Sequence, residues 1–476
     1  MIASNSSAPA LTKPSLLANF ISQRCLMLFL ITTAGVFLRL LYLGKKSFWT
    51  DEGASFVIAH QHWADFWHTI FTHEANASLY YFILHFWLHL GNGEFVIRLL
   101  SVLAGVATIP IVYLLGKQIY DQSTGLVAAA LLAVHPAHVA YSQEARGYSF
   151  VVLFAVLSVY FFVRAMQGTA THSWFWYAIT TVLAVYCHSF AVLLIAAQLA
   201  SLVFMPAREI PWLRLIVSLA AVAVFTGPLL LLISSQNQGQ WAWLPKFGFR
   251  EFLHLMTFLT GNGVRLFLYV LFWIAVVAAW LGDSRRRSAQ SWREALTITW
   301  LVVPILVVSI AALARPMLAP RFLIFCIPAV VLLAGRGISV APYRKPATAA
   351  VLLLIALSAA SLRTYYRTPK EDWRGAARFV LSAARPGEPI VLWDSPAFAY
   401  YRARLARGAN LDFKSPEDWI AASWQSSSRV WLVLYEHDSW SDPGKTIVTE
   451  MRKKYGDEQK RVFGRDIWVL RYEFQK

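Results

Sequence analysis

The sequence predicts a polytopic α-helical membrane protein with about eleven transmembrane helices and a small C-terminal α/β domain. Composition is the first reason. Of 476 residues, 57% are hydrophobic, 15% aromatic and only 14% charged, with a mean hydropathy of +0.49, whereas soluble domains carry roughly a quarter charged residues. The second reason is length, because the apolar residues fall in runs close to the roughly 17 to 25 that a helix needs to cross a bilayer. The third is a shift near residue 363, beyond which the chain is less apolar and carries short strand and helix patterns.

The Ser/Ala-rich segment 1–24 is expected to be a disordered cytoplasmic N-terminus. The run at 25–43 is long for the apolar part of a signal peptide and is followed by no small-residue cleavage site, so it is expected to remain as the first span. Further spans are expected at 97–116, 124–141, 148–166, 173–187, 189–205, 212–233, 264–281, 295–313, 321–336 and 347–362. The stretch 79–90 is apolar too, but it is only a dozen residues long and carries His85 and His89. An interfacial or re-entrant helix fits it better than a span. In the tail, 363–476, a helix is expected at 371–384 and strands at 389–393, 429–435 and 466–472.

The net charge of +17 would suit nucleic acid, but the basic residues sit in short loops and the tail, with no basic stripe interleaved with aromatics. Membrane lipid and topology account for them instead. Short cytoplasmic loops collect Lys and Arg. With Lys13 and Arg24 inside, alternation places Lys117, Arg164, Arg208 with Arg214, the cluster Arg285, Arg286 and Arg287, and Arg336 with Arg344 and Lys345 on the same side. Counting 79–90 as a span would invert every later loop. The segments 44–96, 141–148, 236–263 and 315–321 and the tail then lie outside. Cys25, Cys187 and Cys326 are odd in number, lie in apolar surroundings and show no CxxC spacing, so neither a disulfide framework nor a zinc site is expected.

The outer segments gather polar groups. The first carries Asp51 and Glu52 in the run Ser47-Phe48-Trp49-Thr50-Asp51-Glu52-Gly53-Ala54, then His60, His62, His68, His73 and Glu74, and closes at Arg98. The second carries Glu144, Arg146 and Tyr148; a later one carries Arg315 and Arg321. An ionised carboxylate can take the proton of an attacking hydroxyl, and arginines hold a phosphate leaving group through forked hydrogen bonds. Those are the groups that glycosyl transfer from a lipid-phosphate sugar requires, and an ordinary Asp, with a pKa of about 3.9, is ionised at neutral pH. Each residue has a plainer reading. Arg98 could snorkel from a helix end, Arg146 could form a surface ion pair with Glu144, and Arg315 and Arg321 could meet lipid headgroups. The His residues make no recognised ligand spacing, so a divalent metal stays open but is not favoured. Trp49, Trp63, Trp67, Trp241 and Trp243 could belong to interfacial belts or stack on a sugar. Asn76-Ala77-Ser78 matches an N-glycosylation acceptor by chance composition.

The ordered set "SFWTDEGASFVIAH", "SLYYFILHFWLHLGNGEFVIRLLSVLAG", "LLAVHPAHVAYSQEARGYSF", "RPMLAPRFLIFCIPAVVLLAGRGI" and "TPKEDWRGAARFV" resembles bacterial membrane glycosyltransferases of the protein-mannosyltransferase and aminoarabinose-transferase superfamily, over roughly residues 25–380. The resemblance implies the GT-C fold in a catalytic domain at 25–362, with an extracytoplasmic domain at 363–476. It also implies an inverting transferase of the bacterial inner membrane that uses a polyprenyl-phosphate sugar as donor substrate and an acceptor hydroxyl on a protein, lipid or polysaccharide. Its motif positions make Asp51 the catalytic base and Glu52 the second acid of the pair. Arg98 matches the arginine that opens the second span, in support of the donor phosphate or the acidic loop, and Arg146 and Tyr148 fall where relatives place polar active-site groups; Arg146 and, from its place at the outer face, Arg321 are the further donor-phosphate candidates, with Glu144 and Tyr148 as supporting groups. Relatives often carry His-Pro-Pro-Leu-Tyr-Tyr before the amphipathic helix, where this chain reads Thr72-His73-Glu74-Ala75-Asn76-Ala77-Ser78-Leu79-Tyr80-Tyr81. A supporting role for His73 therefore stays open. A lipid-linked sugar flippase is the reading from another class, and would call for midplane charges and repeated halves. The spans carry few charges and show no repeat.

Overall fold

A computed structural model of the protein describes residues 16–168, 170, 172–236, 244–282, 288–392, 395–405, 411–415, 429–435, 443–464 and 466–473. Lys13, Trp241, Trp243, Arg285, Arg286 and Arg287 lie outside the described residues. Each of the eleven expected spans is helical. Helices α1 (Leu16–Leu40), α5 (Glu94–Ile119), α8 (Tyr148–Met166), α11 (Trp212–Gln236), α13 (Val264–Gly282), α14 (Ala289–Ala314), the segment Pro320–Val340 that ends in α15 (Ile327–Val340), and α16 (Arg344–Arg367) contain the 8 stretches long and apolar enough to cross a membrane.

A ninth crossing is bent. The stretch expected at 124–141 forms α6 (Gln122–Ala133) and α7 (Pro136–Ser142), which meet at 60°. Pro136 opens α7, and a residue preceding proline is pushed away from helical geometry, as at His135 with φ −64 and ψ 117. The break frees carbonyls in an apolar interior, where each needs a donor. Arg39 of α1 supplies a donor: its guanidinium donates to the carbonyls of Ala133 (3.0 Å) and Leu132 (3.3 Å), and to Gly35 (3.0 Å) of its own helix.

The remaining two expected spans form the shorter helices Ser173–Cys187 (α9) and Ser189–Phe204, the latter containing α10 (Leu193–Ser201). Fifteen residues rise about 22 Å, less than a hydrocarbon core of about 30 Å. They still run between the two ends of the bundle. His188, between them, packs against Tyr148 and Phe322. At the opposite end Trp176 stacks on Phe161, and Ser201 Oγ accepts from Trp292 Nε1 at 3.1 Å. Helix polarity therefore alternates through α8, α9 and the helix that follows it. The C-terminal ends of α1, α7 and α16 and the starts of α5 and α8 gather at the end that holds His188.

At that end lie α2 (Thr50–Ala59), α3 (Trp63–Thr72), α4 (Ser78–Trp87) and α12 (Phe249–Thr260). α4 has only 10 residues; Tyr80, Tyr81 and Leu84 face inward, and Phe82 and Phe86 are exposed. The tail begins with α17 (Trp373–Ala383), two residues later than expected, because Asp372 caps the helix by accepting from Gly375 N–H at 2.9 Å. That start leaves Glu371 outside the helix. A 5-stranded sheet follows in the order β2-β1-β3-β5-β4, with β1 Pro389–Leu392, β2 Asp412–Lys414, β3 Arg429–Tyr435, β4 Gln459–Phe463 and β5 Ile467–Glu473. β2, β1 and β3 run parallel, and β5 pairs antiparallel with β3 and β4. Strand alternation divides β3: Trp431 and Val433 join the main core, while Val430, Leu432 and Leu434 pack with Ile447, Met451 and Tyr455 of α19 (Pro443–Tyr455). β2, β4, α19 and α18 (Pro396–Leu405) are not apparent from the sequence pattern; β4 is an exposed edge strand with little apolar alternation.

α18 rests on α2. Tyr400 packs against Phe48 and Phe56, with ring centroids 4.7 and 4.8 Å apart, and the Phe48 N–H donates to Tyr401 OH at 2.8 Å. The approach needs a glycine, since a Cβ on Gly53 would sit 2.2 Å from Ala397 N. Gly53→Ala is expected to cost on the order of 1–3 kcal/mol through overpacking and to make the tail sensitive to limited proteolysis. Gly93→Ala, where a Cβ meets nothing within 4 Å, is the control, and equal proteolysis of the two variants would refute the docking.

Candidate active site

The sequence places Asp51 and Glu52 in the first turn of α2, where partial positive charge from the helix N-terminus favours carboxylates. Successive residues of a helix point about 100° apart, and the two acids have different surroundings. Glu52 is fully buried. Its Oε1 accepts from Arg98 Nε (2.6 Å) and Ala145 N–H (2.9 Å), and its Oε2 accepts from Arg98 Nη2 (2.7 Å) and Trp49 N–H (3.4 Å). Burial pushes the Glu52 carboxyl up, but the charges of Arg98 and Lys370 and the hydrogen bonds from Arg98 and Ala145 outweigh it and hold the group below the usual carboxylate range.

Arg98 is equally buried and engages all five of its N–H donors. Besides Glu52 it reaches the carbonyls of Leu43 (2.9 Å), Lys46 (2.8 Å) and Ser47 (3.0 Å). This corrects the donor-phosphate assignment, since a guanidinium has five donors and none remains for a ligand. It also removes the snorkelling alternative. Arg98 ties the turn after α1, the start of α2 and the second outer loop together.

Asp51 faces the other way, with a side chain 29% exposed and Oδ2 3.7 Å from Arg321 Nη2. Arg321 lies against the rings of Trp49 and Phe322. Arg146 sits over the Tyr148 ring and donates through Nη1 to Tyr81 OH at 3.1 Å, with the Asp51 carbonyl and Ser55 Oγ at 3.5 Å. Among the described residues its Nε and Nη2 have no hydrogen-bond partner. Asp51, Arg146, Tyr148 and Arg321 thus converge, while Arg315 is exposed at the end of α14.

The ion pair imagined between Arg146 and Glu144 does not form. Glu144 is buried and accepts from Lys370 Nζ at 2.8 Å, and Lys370 lies 3.7 Å from Glu52. Burial raises the Glu144 carboxyl and the Glu52 charge adds to it, against Lys370. Lys370 is raised in turn: burial would lower it, but Glu144 and Glu52 prevail. His73 is exposed at the end of α3, and its neighbour Glu74 is the group turned inward, with Oε2 3.5 Å from Tyr81 OH. Burial raises the Glu74 carboxyl, opposed mainly by Arg146. Glu371 accepts from Thr50 N–H (3.1 Å), Thr50 Oγ1 (3.2 Å) and Tyr435 OH (3.0 Å), linking the tail to the start of α2. Lys370, Glu371 and Glu74 are functional candidates that sequence reasoning left without roles, although "TPKEDWRGAARFV" contains two of them. Among the described residues no three His, Cys, Asp or Glu side chains gather as a metal-ligand set.

With this geometry in view, known structures provide the frame. The ArnT structure from Cupriavidus metallidurans bound to undecaprenyl phosphate superposes with a TM-score of 0.59 at 11% identity, over 95% of this chain and 98% of that one. Its apo form gives 0.59 at 13% identity over 96% and 98%. The chain has the GT-C glycosyltransferase fold. A second GT-C protein, the oligosaccharyltransferase AglB from Archaeoglobus fulgidus in complex with an inhibitory peptide and a dolichol-phosphate, gives a TM-score of 0.57 at 14% identity, over 82% of this chain and 64% of that one. Residues 76–231 match the family described as dolichyl-phosphate-mannose-protein mannosyltransferase. That stretch includes Arg98, Glu144, Arg146 and Tyr148 and stops short of both Asp51 and Arg321. No curated protein matches the sequence.

Proposed function

We propose that the protein is an inverting glycosyltransferase that moves a sugar from a polyprenyl phosphate to an acceptor hydroxyl, at the outer face of a bacterial inner membrane with its N-terminus in the cytoplasm. The observation that carries the reading is the partly exposed Asp51 carboxylate, held in the first turn of α2 beside Arg146 and Arg321. In the proposed reaction Asp51 takes the acceptor hydroxyl proton as its oxygen bonds to C1 of the sugar. The bond from C1 to the phosphate oxygen breaks, and polyprenyl phosphate leaves against Arg146 and Arg321. Approach from the face opposite the leaving group inverts C1. The lipid phosphates bound in the ArnT and AglB structures support the donor class. Glu52 and Arg98 position α2, and Lys370 and Glu144 extend that network.

The flippase reading calls for charges at the bilayer midplane, whereas the ionisable groups described above gather at one end of the bundle. The deciding experiment incubates purified protein with a panel of polyprenyl-phosphate sugars and looks by mass spectrometry for donor consumption and a glycosylated product. Transport in proteoliposomes without any covalent product would overturn the transferase reading.

A further inference from the structure

The first turn of α2 carries Asp51, and a helix start leaves N–H groups without partners inside the helix. Trp49, at the N-cap, supplies no side-chain hydrogen bond to them. Its carbonyl accepts from Glu52 N–H (3.0 Å) and Gly53 N–H (3.1 Å). The N–H of Thr50, the first helical residue, is taken instead from the tail, where Glu371 Oε2 accepts it at 3.1 Å and Thr50 Oγ1 at 3.2 Å. The same carboxylate is fixed from its own side by Trp373 Nε1 (2.7 Å) and Tyr435 OH (3.0 Å). Burial pushes the Glu371 carboxyl up, and the hydrogen bonds from Trp373, Tyr435 and Thr50 oppose the rise.

Other tail contacts follow along α2 at the spacing of surface neighbours: Ala397 closes on Gly53, and Tyr400 packs on Phe56. Lys370, next to Glu371 in the chain, lies 3.7 Å from Glu52. Consecutive residues of one tail segment thus hold Thr50 and Glu52, the two neighbours of Asp51, while Asp51 itself turns to Arg321.

We propose that Glu371 is a positioning residue for the base: it caps α2 from the tail and so sets where the Asp51 carboxylate points. The role rests on the transferase reading. A base works only within hydrogen-bond reach of the proton it takes, and a misplacement of about 1 Å can cost about 10²-fold. Without the cap, the turn that carries Asp51 frays. Arg98, through Glu52, and α18, through Gly53, still hold α2 in place, so the expected loss is one of aim and not of fold.

The test pairs steady-state turnover with hydrogen exchange read by mass spectrometry over residues 48–57, on the purified full chain. The donor is the polyprenyl-phosphate sugar that the wild type consumes fastest. Glu371→Ala is expected to speed exchange in 48–57 and to lower kcat by about 10- to 100-fold, with the donor KM unchanged. Glu371→Gln should keep most of both, because its carbonyl can accept from Thr50 and Trp373 while its amide donates to the Tyr435 hydroxyl. Glu371→Asp, which keeps the charge but falls one methylene short of Thr50, should behave like Glu371→Ala. Glu450→Ala, which removes an exposed carboxylate of α19, should match the wild type.

A second-site variant isolates the cap. Proline suits the first position of a helix and has no N–H to satisfy, and Trp49, with φ −93 and ψ 172, already has the extended backbone that precedes proline. Thr50→Pro alone should impair turnover, since its ring carbon replaces the hydrogen that faces Glu371. Combined with Glu371→Ala it should restore both exchange protection and kcat above those of Glu371→Ala. Thermal melts establish that each variant is folded; if Glu371→Ala is not, the ranking of Glu371→Gln above Glu371→Asp carries the same comparison. Unchanged kcat in Glu371→Ala, a loss confined to KM, Glu371→Asp outperforming Glu371→Gln, or a double variant no better than Glu371→Ala would overturn the proposal. The two readings fail separately. If the wild type consumes no donor while exchange still follows the cap, the transferase reading falls and takes the positioning role with it. If product forms and Glu371→Ala alters neither readout, only the positioning role falls.

Discussion

Asp51→Asn is expected to lower turnover by about 10²–10⁴-fold, the range contributed by a positioned general base, while membrane insertion and thermal stability stay close to wild type. Asparagine keeps the size and hydrogen-bonding reach of the side chain but cannot carry away the acceptor proton. The fold should tolerate the change because Asp51 stands outside the buried network; its side chain is 29% exposed and meets Arg321 at 3.7 Å, a pairing of the partly exposed kind that contributes little to stability. Asp51→Glu should retain some activity, since the carboxylate is present but displaced by one methylene. Donor consumption measured by mass spectrometry, together with a melting curve, tests the claim. Full activity in Asp51→Asn would remove this residue from the mechanism.

The opposite signature is expected at Arg98 and Glu52. Removing either partner of a buried, hydrogen-bonded ion pair leaves an unpaired charge in the interior and costs about 3–5 kcal/mol. Arg98→Ala and Glu52→Ala should therefore be recovered in low yield with sharply lowered melting temperatures. Arg98→Lys should not rescue, because an ammonium has three donors where five N–H bonds to Glu52, Leu43, Lys46 and Ser47 are made. An apolar double replacement should also fall short of wild type, since the carbonyls of Leu43 and Ser47 would lose their Arg98 donor, while that of Lys46 keeps only Arg374 Nη2 at 3.2 Å. The pH dependence has a definite sign. The Glu52 carboxyl is held below its ordinary value, so its contribution is present above the unfolded-state pKa of about 4.3 and is lost as the pH falls through the lower folded value. Wild-type stability measured against pH should fall on the acid side, with a shallower fall in Glu52→Gln. A stable, well-expressed Arg98→Ala would contradict the positioning role.

The contrast between the two acids explains how much of the site was legible in sequence. Adjacent carboxylates at the end of a span marked a segment that the fold brings against two others, and the charge alternation that placed 44–96, 141–148 and 315–321 at one end corresponds to contacts among Asp51, Arg146 and Arg321. Neither observation distinguishes a saturated arginine from an open one. Arg98 looked like a phosphate ligand because arginines at membrane ends bind phosphates, yet its donors close on backbone carbonyls after α1. His73 stood out by residue type, but a single residue of rotation at the end of α3 turns Glu74 inward instead. Lys370 and Glu371 drew no assignment because the expected helix at 371–384 absorbed the latter, and only the cap at Asp372 releases it.

The sequence by itself determined the polytopic class, the course of the apolar helices and the positions of three of the tail's five strands, because hydrophobic run length and two-residue alternation are local properties read directly by bilayer and core. The 60° break after α6 was present in its cause, Pro136, but not in its consequence, the capture of the freed carbonyls by Arg39 from another helix. The division of labour between Asp51 and Glu52, the closure of the network by Lys370, the seating of α18 on Gly53 and the reach of Glu371 to Thr50 were decided only by tertiary structure. Each depends on side chains far apart in the chain meeting in a low-dielectric interior, where hydrogen-bond satisfaction and charge pairing carry far more energy than any local propensity.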